Sequence, residues 1–173
     1  MSVELRQPHA DEIDDLAALH VRCWREAYGG LLDPGFLAGL SAGYRADIWR
    51  KVIADPSMFV LVALAEDERV GFVISGPASP DYRKWADGEI HALYLLGAFQ
   101  GQGLGRKLLA AGLEDWRRRG GRGAVAMVFG GNLRARRFYE ARGGRAVGEA
   151  VIALGGQSHV EIAYSFDLGA AGQ

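Results

Sequence analysis

The sequence predicts a mixed α/β (α+β) fold, one central sheet of about six to seven strands with helices on its faces. Three observations predict it. Apolar runs of strand length stand at residues 59–65, 70–75, 89–96 and 124–129. Apolar residues at helical spacing stand in the first part of the chain (Ile13, Leu16, Ala17, His20, Cys23, Trp24) and in two later segments. Their order is strand, helices, hairpin, strand, helix, strand, helix, hairpin, which interleaves the two periods along one chain.

Each element has a local reason. The short alternating stretch SVELRQ is a first strand, and Asp11 can cap a helix that stops near Gly29-Gly30. Asp33-Pro34 starts a second helix, and Ser41 caps a third that carries Tyr44, Ile48, Trp49 and Val52 and closes at Pro56. Residues 59–65 and 70–75 form a hairpin around the polar turn Glu66-Asp67-Glu68-Arg69. The polar segment GPASPDYRKWADG is too long for a tight turn and reads as a functional loop. After strand 89–96 comes a glycine-rich turn, then a helix with Leu108, Leu109, Leu113 and Trp116 on one stripe. Strand 124–129 follows, then a helix capped by Asn132 with Ala135, Phe138, Tyr139 and Arg142 on one side. Residues 145–154 and 159–168 close the chain as a hairpin around Gly155-Gly156. The reading is one domain over residues 1–168 and a flexible tail at 169–173.

Composition narrows the function. Hydrophobic residues make up 49% and charged residues 24% of the 173, ordinary values for a globular protein. A formal net charge of −1 argues against a nucleic-acid binder, which needs a broad basic surface. Cys23 is the only cysteine, so an internal disulfide and a cysteine zinc cluster are both excluded, and no metal site is expected. The opening MSVELRQPHADEIDD carries charges where a signal peptide needs an apolar segment, and no apolar run is long enough to cross a membrane. A reducing cytoplasm is the compartment these features suit.

The most informative stretch is Gln100-Gly101-Gln102-Gly103-Leu104-Gly105, between a strand and a helix. Glycines there let backbone N–H groups converge on an anion, aided by the helix dipole. Arg106 and Lys107 follow in a first helical turn, where the dipole prefers carboxylates; a bound phosphate relieves that conflict. A P-loop needs Gly-Lys followed by Ser or Thr, and here Gly105 precedes Arg106. A dinucleotide fingerprint needs a third glycine where Arg106 stands. The pattern that remains is Gln100, Gly103 and Gly105 after a strand.

That pattern resembles the pyrophosphate loop of the GNAT superfamily of acetyl-CoA-dependent N-acetyltransferases. ALYLLGAFQGQGLGRKLL is similar to that family's strand, loop and helix, and NLRARRFYEARGG to its later helix, through Asn132, Ala135, Phe138, Tyr139 and Glu140. LAALHVRCWREAYGGLL resembles the first helices of one large subgroup, and EIHALYL the central strand. Two positions depart: the family commonly has Pro where Gly97 stands and an apolar aromatic where Gly144 stands.

The resemblance implies a GNAT fold and a set of roles. The N–H groups of Gly101, Gln102, Gly103, Leu104, Gly105 and Arg106, with Gln100, would hold the coenzyme A pyrophosphate. Backbone groups of Tyr94 and Leu95 would pair with the pantetheine arm between two splayed strands, their side chains being core. Tyr139 matches the general acid for the departing thiolate; as a plain helix tyrosine it would only pack against Phe138. Asn132 resembles a cofactor contact and is also a helix cap. Glu89 is the first candidate for the base, directly or through water, with His91 beside it on the same face. Glu89 could instead be a strand-edge carboxylate in solvent, and His91 a buried structural histidine. Trp24 and Tyr28 would help wall the acceptor pocket. Arg117, Arg118 and Arg119 could touch the adenosine phosphate or simply suit a helix C-terminus. The activity implied is acetyl transfer to a primary amine of a small molecule or protein, by direct attack in a ternary complex. Family members often form homodimers. The rival is a non-catalytic acyl-CoA-binding module; an ATP- or NAD-binding protein has the weakest motif support.

Overall fold

A computed structural model describes residues 2–169, so most of the expected tail lies outside the described residues. Within them the chain runs β1 (Val3–Arg6), α1 (Ile13–Tyr28), α2 (Pro34–Ala38), α3 (Ala42–Ala54), β2 (Phe59–Ala65), β3 (Glu68–Pro77), β4 (Gly88–Leu95), α4 (Leu104–Arg118), β5 (Gly123–Phe129), α5 (Leu133–Glu140), β6 (Arg145–Leu154) and β7 (Gln157–Asp167). The strands form one seven-stranded sheet in the order β1-β2-β3-β4-β5-β7-β6. Neighbours are antiparallel except β4 and β5, which are parallel across the α4 crossover.

Local chemistry sets the boundaries. Asp33 accepts the Phe36 N–H at 2.9 Å and Ser41 Oγ that of Tyr44 at 3.2 Å, the caps the sequence predicts. Three details differ from the sequence reading. A 3₁₀ turn, Ala10–Glu12, precedes α1, so Asp11 is not its cap. The β2–β3 turn is only Glu66-Asp67, both at positive φ (49° and 70°), and Glu68 and Arg69 already belong to β3. Two-residue hairpins with both residues at positive φ match the twist of the flanking strands. Tyr44 is 66% exposed instead of packed, because it lies about 200° round α3 from the buried Ala46.

One face of the sheet carries α4, whose Gly112 lies close against Val73, Ser75 and Ile90. The other face carries α1 and α3, packed through Leu16, His20 and the fully buried Trp49 and Phe72.

β4 and β5 pair over three residues only: Gly88 with Ala124, Glu89 with Val125 and Ile90 with Ala126. Their starts are clamped. The Asp87 carboxylate accepts the Trp116 indole N–H at 3.0 Å and the backbone N–H groups of Arg122 and Gly123 at 3.1 Å. The indole lies so close over Gly88 and Gly121 that neither has room for a Cβ. Beyond Ile90 and Ala126 the strands separate. A register shift opposite Ile74/Ser75 leaves His91 as the extra residue of a bulge at that separation point.

Far from this opening, Glu12 ties β1, α1 and β3 together. Its carboxylate accepts from Arg6 at 2.7 and 2.8 Å, from Arg69 Nε at 2.8 Å and from the His9 N–H at 2.6 Å. It is 4% exposed. The Arg6 hydrogen bonds lead in lowering its pKa from 4.5 to about 2, outweighing burial. A depressed carboxylate stabilises the fold above its unfolded pKa, and that stability is lost as pH falls from 4.5 through about 2. Glu12→Gln should cost about 3 kcal/mol at neutral pH and flatten this acid limb. Urea midpoints of both proteins between neutrality and the acid limb check it.

Candidate functional site

The separation of β4 and β5 opens a cleft of about 550 Å³. It is lined by β4 from Ile90 to Leu95, by β5 from Met127 to Phe129, by Tyr28 of α1 and by Tyr139 of α5. At one end lies the glycine turn. A 3₁₀ turn, Gly97–Phe99, leads into Gln100, whose side-chain amide donates to the Leu95 carbonyl at 2.7 Å. Gly101 and Gly103 then take φ of +77° and +84°, and Gly103 is the N-cap of α4 without a side-chain cap. The first N–H groups of α4 therefore lack partners within their own helix. Gln100, Gly101, Gly103, Gly105 and Arg106 line the cleft, as do Asn132, Arg134 and Arg142. The side chain of Gln102 turns back to the Ala98 carbonyl at 3.1 Å, and Leu104 is buried in the core.

The two departures noted in the sequence have structural reasons. The Gly97 N–H donates to Glu26 Oε2 at 2.8 Å, a bond that proline cannot make. At Gly144 a Cβ would sit 2.9 Å from the Phe166 ring and from the Tyr139 carbonyl, so Phe166 already fills the place of an aromatic there.

Tyr139 is 7% exposed and its ring lies 5.2 Å from Phe138 and 6.1 Å, stacked, from Tyr164. Burial first, and then the Tyr28 hydroxyl, push its pKa above the ordinary tyrosine value, so it holds its proton as a donor must. Its helix is fixed to β7 by Tyr164, which donates to Glu140 at 2.7 Å and accepts from Arg136 at 3.1 Å. Asn132 caps α5 by accepting the Ala135 N–H at 3.1 Å.

Across the cleft, the Tyr94 and Tyr28 hydroxyls share a hydrogen bond of 2.9 Å. The side chain of Tyr94 thus lines the cleft instead of serving only as core. Trp24 stands behind these two tyrosines, its ring 4.8 Å from Tyr28 and covered by the Arg45 guanidinium at 4.4 Å. Glu89 is 6% exposed, not a solvent carboxylate; Oε2 accepts from Ser79 N–H at 2.8 Å and Ser79 Oγ–H at 2.7 Å. Its Oε1 faces His91 Nδ1 at 3.5 Å. The other His91 nitrogen, Nε2, lies 3.0 Å from the Pro77 carbonyl, which can only accept, so Nε2 carries a proton. His91 lines the cleft and Glu89 lies just behind it.

Arg117 and Arg118 pair with Glu114 at 2.8 and 2.9 Å, and Arg119 pairs with Asp115 at 2.8 Å. None of the three lines the cleft. The arginines that do are Arg106, which the sequence places beside the glycine turn, and Arg134 and Arg142, which carry no such signal. Cys23 is 2% exposed and burial pushes its thiol up to about 12, an inert small hydrophobe. Among the described residues no group of His, Cys, Asp and Glu is arranged to hold a metal, and no helix is long and apolar enough to cross a membrane.

A family model described as acetyltransferase (GNAT) family matches residues 14–144. An uncharacterized N-acetyltransferase YuaI of Bacillus subtilis is 34% identical over 115 residues, 65% of this chain and 63% of that protein. The match therefore spans less than two thirds of that relative. An uncharacterized N-acetyltransferase of Archaeoglobus fulgidus is 32% identical over 79% of this chain and 89% of its own length. Among solved structures, the PaiA N-acetyltransferase of Thermoplasma acidophilum in complex with coenzyme A superposes with a TM-score of 0.76 over 96% of this chain and 99% of its own, at 16% identity. YncA of Salmonella typhimurium, a putative acetyltransferase with its cofactor acetyl-CoA, gives 0.74 over 100% and 98%, at 19% identity. Both share the fold.

Proposed function

The chain belongs to the acetyltransferase (GNAT) family, whose cosubstrate is acetyl-CoA, and from that premise we propose that it transfers acetyl to a primary amine by direct attack in a ternary complex. The observation that carries this reading is the cleft where β4 and β5 part, open between the glycine turn and Tyr139. The residues present fit coenzyme A. Gly101 and Gly103 line the cleft at positive φ with open space where a Cβ would point, and Arg106, Arg134 and Arg142 supply positive charge for phosphates.

Acetyl-CoA, when bound, supplies the activated acyl group as a thioester. The chain does the rest. N–H groups from Gly101 to Arg106 hold the pyrophosphate. Beyond Ile90 the β4 edge facing β5 has no strand partner, so its backbone groups are free to pair with an extended arm and to polarise a carbonyl. A primary ammonium has a pKa near 10 and must lose a proton before it can attack. Glu89, behind His91 and outside the cleft lining, takes that proton through a water chain. The Tyr139 hydroxyl gives a proton to the departing sulfur.

The test is thiol release from acetyl-CoA across a panel of primary amines, with initial rates at varied concentrations of both substrates. Release with intersecting reciprocal plots is expected. Parallel plots would mean a covalent acyl-enzyme; acetyl-CoA binding without release on any amine would mean a non-catalytic acyl-CoA-binding module.

A further inference from the structure

Outside the residues that line the cleft, but close to Tyr28 at its end, stands a second carboxylate that the transfer reaction does not use. Glu161 of β7 lies directly opposite Phe129 of β5, and cross-strand partners share a face. Glu89 pairs with Val125, and the two-residue period carries the same face through Met127 to Phe129. Glu89, Phe129 and Glu161 therefore look out of one side of the sheet. The Phe129 ring lies 5.3 Å from that of Tyr28, so Glu161 borders the tyrosine pair that ends the cleft.

The segment between β3 and β4 closes this corner from the other side. Its Trp85 rests on Gly148 of β6, where a Cβ would be 2.6 Å from the indole, and Tyr82 stacks on Trp85 at 5.9 Å. Gly148 pairs with Ala163, two residues along β7 from Glu161 and so on the same face. Glu161 is half-buried, and among the described residues no cation pairs with it and no donor hydrogen-bonds to it. Burial, and then the charge of Glu89, raise its pKa. Tyr82 is raised by burial and then by Glu161 and Glu89, which puts all three groups within electrostatic reach of one another. Arg45 is committed to the Trp24 ring, and in the closing segment Arg83 donates to the Ala78 carbonyl and Lys84 lies over the Trp85 ring.

Glu89 is satisfied by Ser79 and faces His91, so Glu161 is the carboxylate of this half-enclosed face left without a pairing cation, a costly state unless a cation arrives with the ligand. We propose that Glu161 determines acceptor specificity: the acceptor is a primary amine bearing a second positive charge, a diamine-type cation whose far end pairs with Glu161. The inference rests on the acetyl-transfer reading above. The strands part at Ile90 and Ala126, and Glu161 lies opposite a residue three positions further along β5, roughly 10 Å away. A reacting amine at the separation point would put a four- to six-carbon chain along that path, over the Phe129 ring.

The experiment compares 1,4-diaminobutane, butylamine and 4-aminobutyrate, amines of four carbons whose far ends are an ammonium, a methyl group and a carboxylate. Thiol release should give the diamine a kcat/KM about tenfold or more above butylamine, the ratio one charge-assisted contact supplies, with 4-aminobutyrate poorest. Glu161→Gln should bring the diamine-to-butylamine ratio close to one. Equal kcat/KM for diamine and butylamine in the wild type, or a ratio that survives the substitution, overturns the proposal while acetyl transfer stands. No release from any amine overturns both. Should Glu161→Gln lose its folded circular-dichroism spectrum, salt dependence in the wild type decides: the diamine KM must rise with ionic strength more steeply than that of butylamine.

Discussion

Gly103→Val should raise the KM for acetyl-CoA about a hundredfold, with a much smaller change in kcat at saturation. Gly103 sits at φ +84°, where a β-branched residue is strained by about 1–2 kcal/mol. Relief of that strain rotates the peptide planes on either side and turns their N–H groups from the cleft. Two charge-assisted amide contacts of about 1.5 kcal/mol each correspond to roughly a hundredfold in binding. The valine side chain also projects into open space beside Arg106, where the phosphates are assigned. Gly103→Ala, with the same φ penalty and less bulk, should fall between. A thermal melt separates this from lost folding, since a surface turn should shift Tm by only a few degrees. An unchanged KM would mean that the anion lies elsewhere.

The contrast between this turn and Glu161 shows what a sequence discloses. The turn is local: a strand end, glycines at fixed offsets and a helix start lie within about a dozen residues, so their geometry follows from spacing. The same holds for the caps Asp33, Ser41 and Asn132, each satisfied three residues on. Glu161 is not local. Its place depends on β7 inserting between β5 and β6, a strand order that no neighbouring residue encodes. Trp24 and Tyr28 share a helix face four residues apart, yet Tyr28 lines the cleft and Trp24 stands one layer back, covered by Arg45 from α3. The basic run at 117–119 illustrates the same limit. α4 has 15 residues, about 22 Å, so its C-terminal arginines are carried far from the loop that starts it. Short α5 and the turn that follows it keep Arg134 and Arg142 beside the cleft. Composition pointed to the more conspicuous cluster; helix length decides which cations line the cleft.

Tyr139→Phe should lower kcat about thirty- to a hundredfold while the KM for acetyl-CoA changes less than about twofold. General acids contribute typically 10²- to 10⁴-fold, and the low end applies because a thiol of pKa about 8.5 already leaves as a passable anion. The substitution removes only the hydroxyl; the ring contacts to Phe138, Tyr164 and Phe166 stay, so the fold has no reason to change. The electrostatics give a second readout. Burial and the nearby Tyr28 hydroxyl hold the Tyr139 proton beyond the ordinary tyrosine range. The wild type should therefore keep its kcat past pH 10, the point at which a solvent-exposed tyrosine would begin to lose the proton it donates. A kcat–pH profile that falls well below pH 10 in the wild type and persists in the phenylalanine variant would assign that ionisation to another group. Equal kcat in the two proteins would remove Tyr139 from the proton transfer and leave it as packing between α5 and β7. The loss is confined to kcat because the hydroxyl matters only once the carbon–sulfur bond stretches, whereas the glycine turn acts on the bound and the reacting cofactor alike.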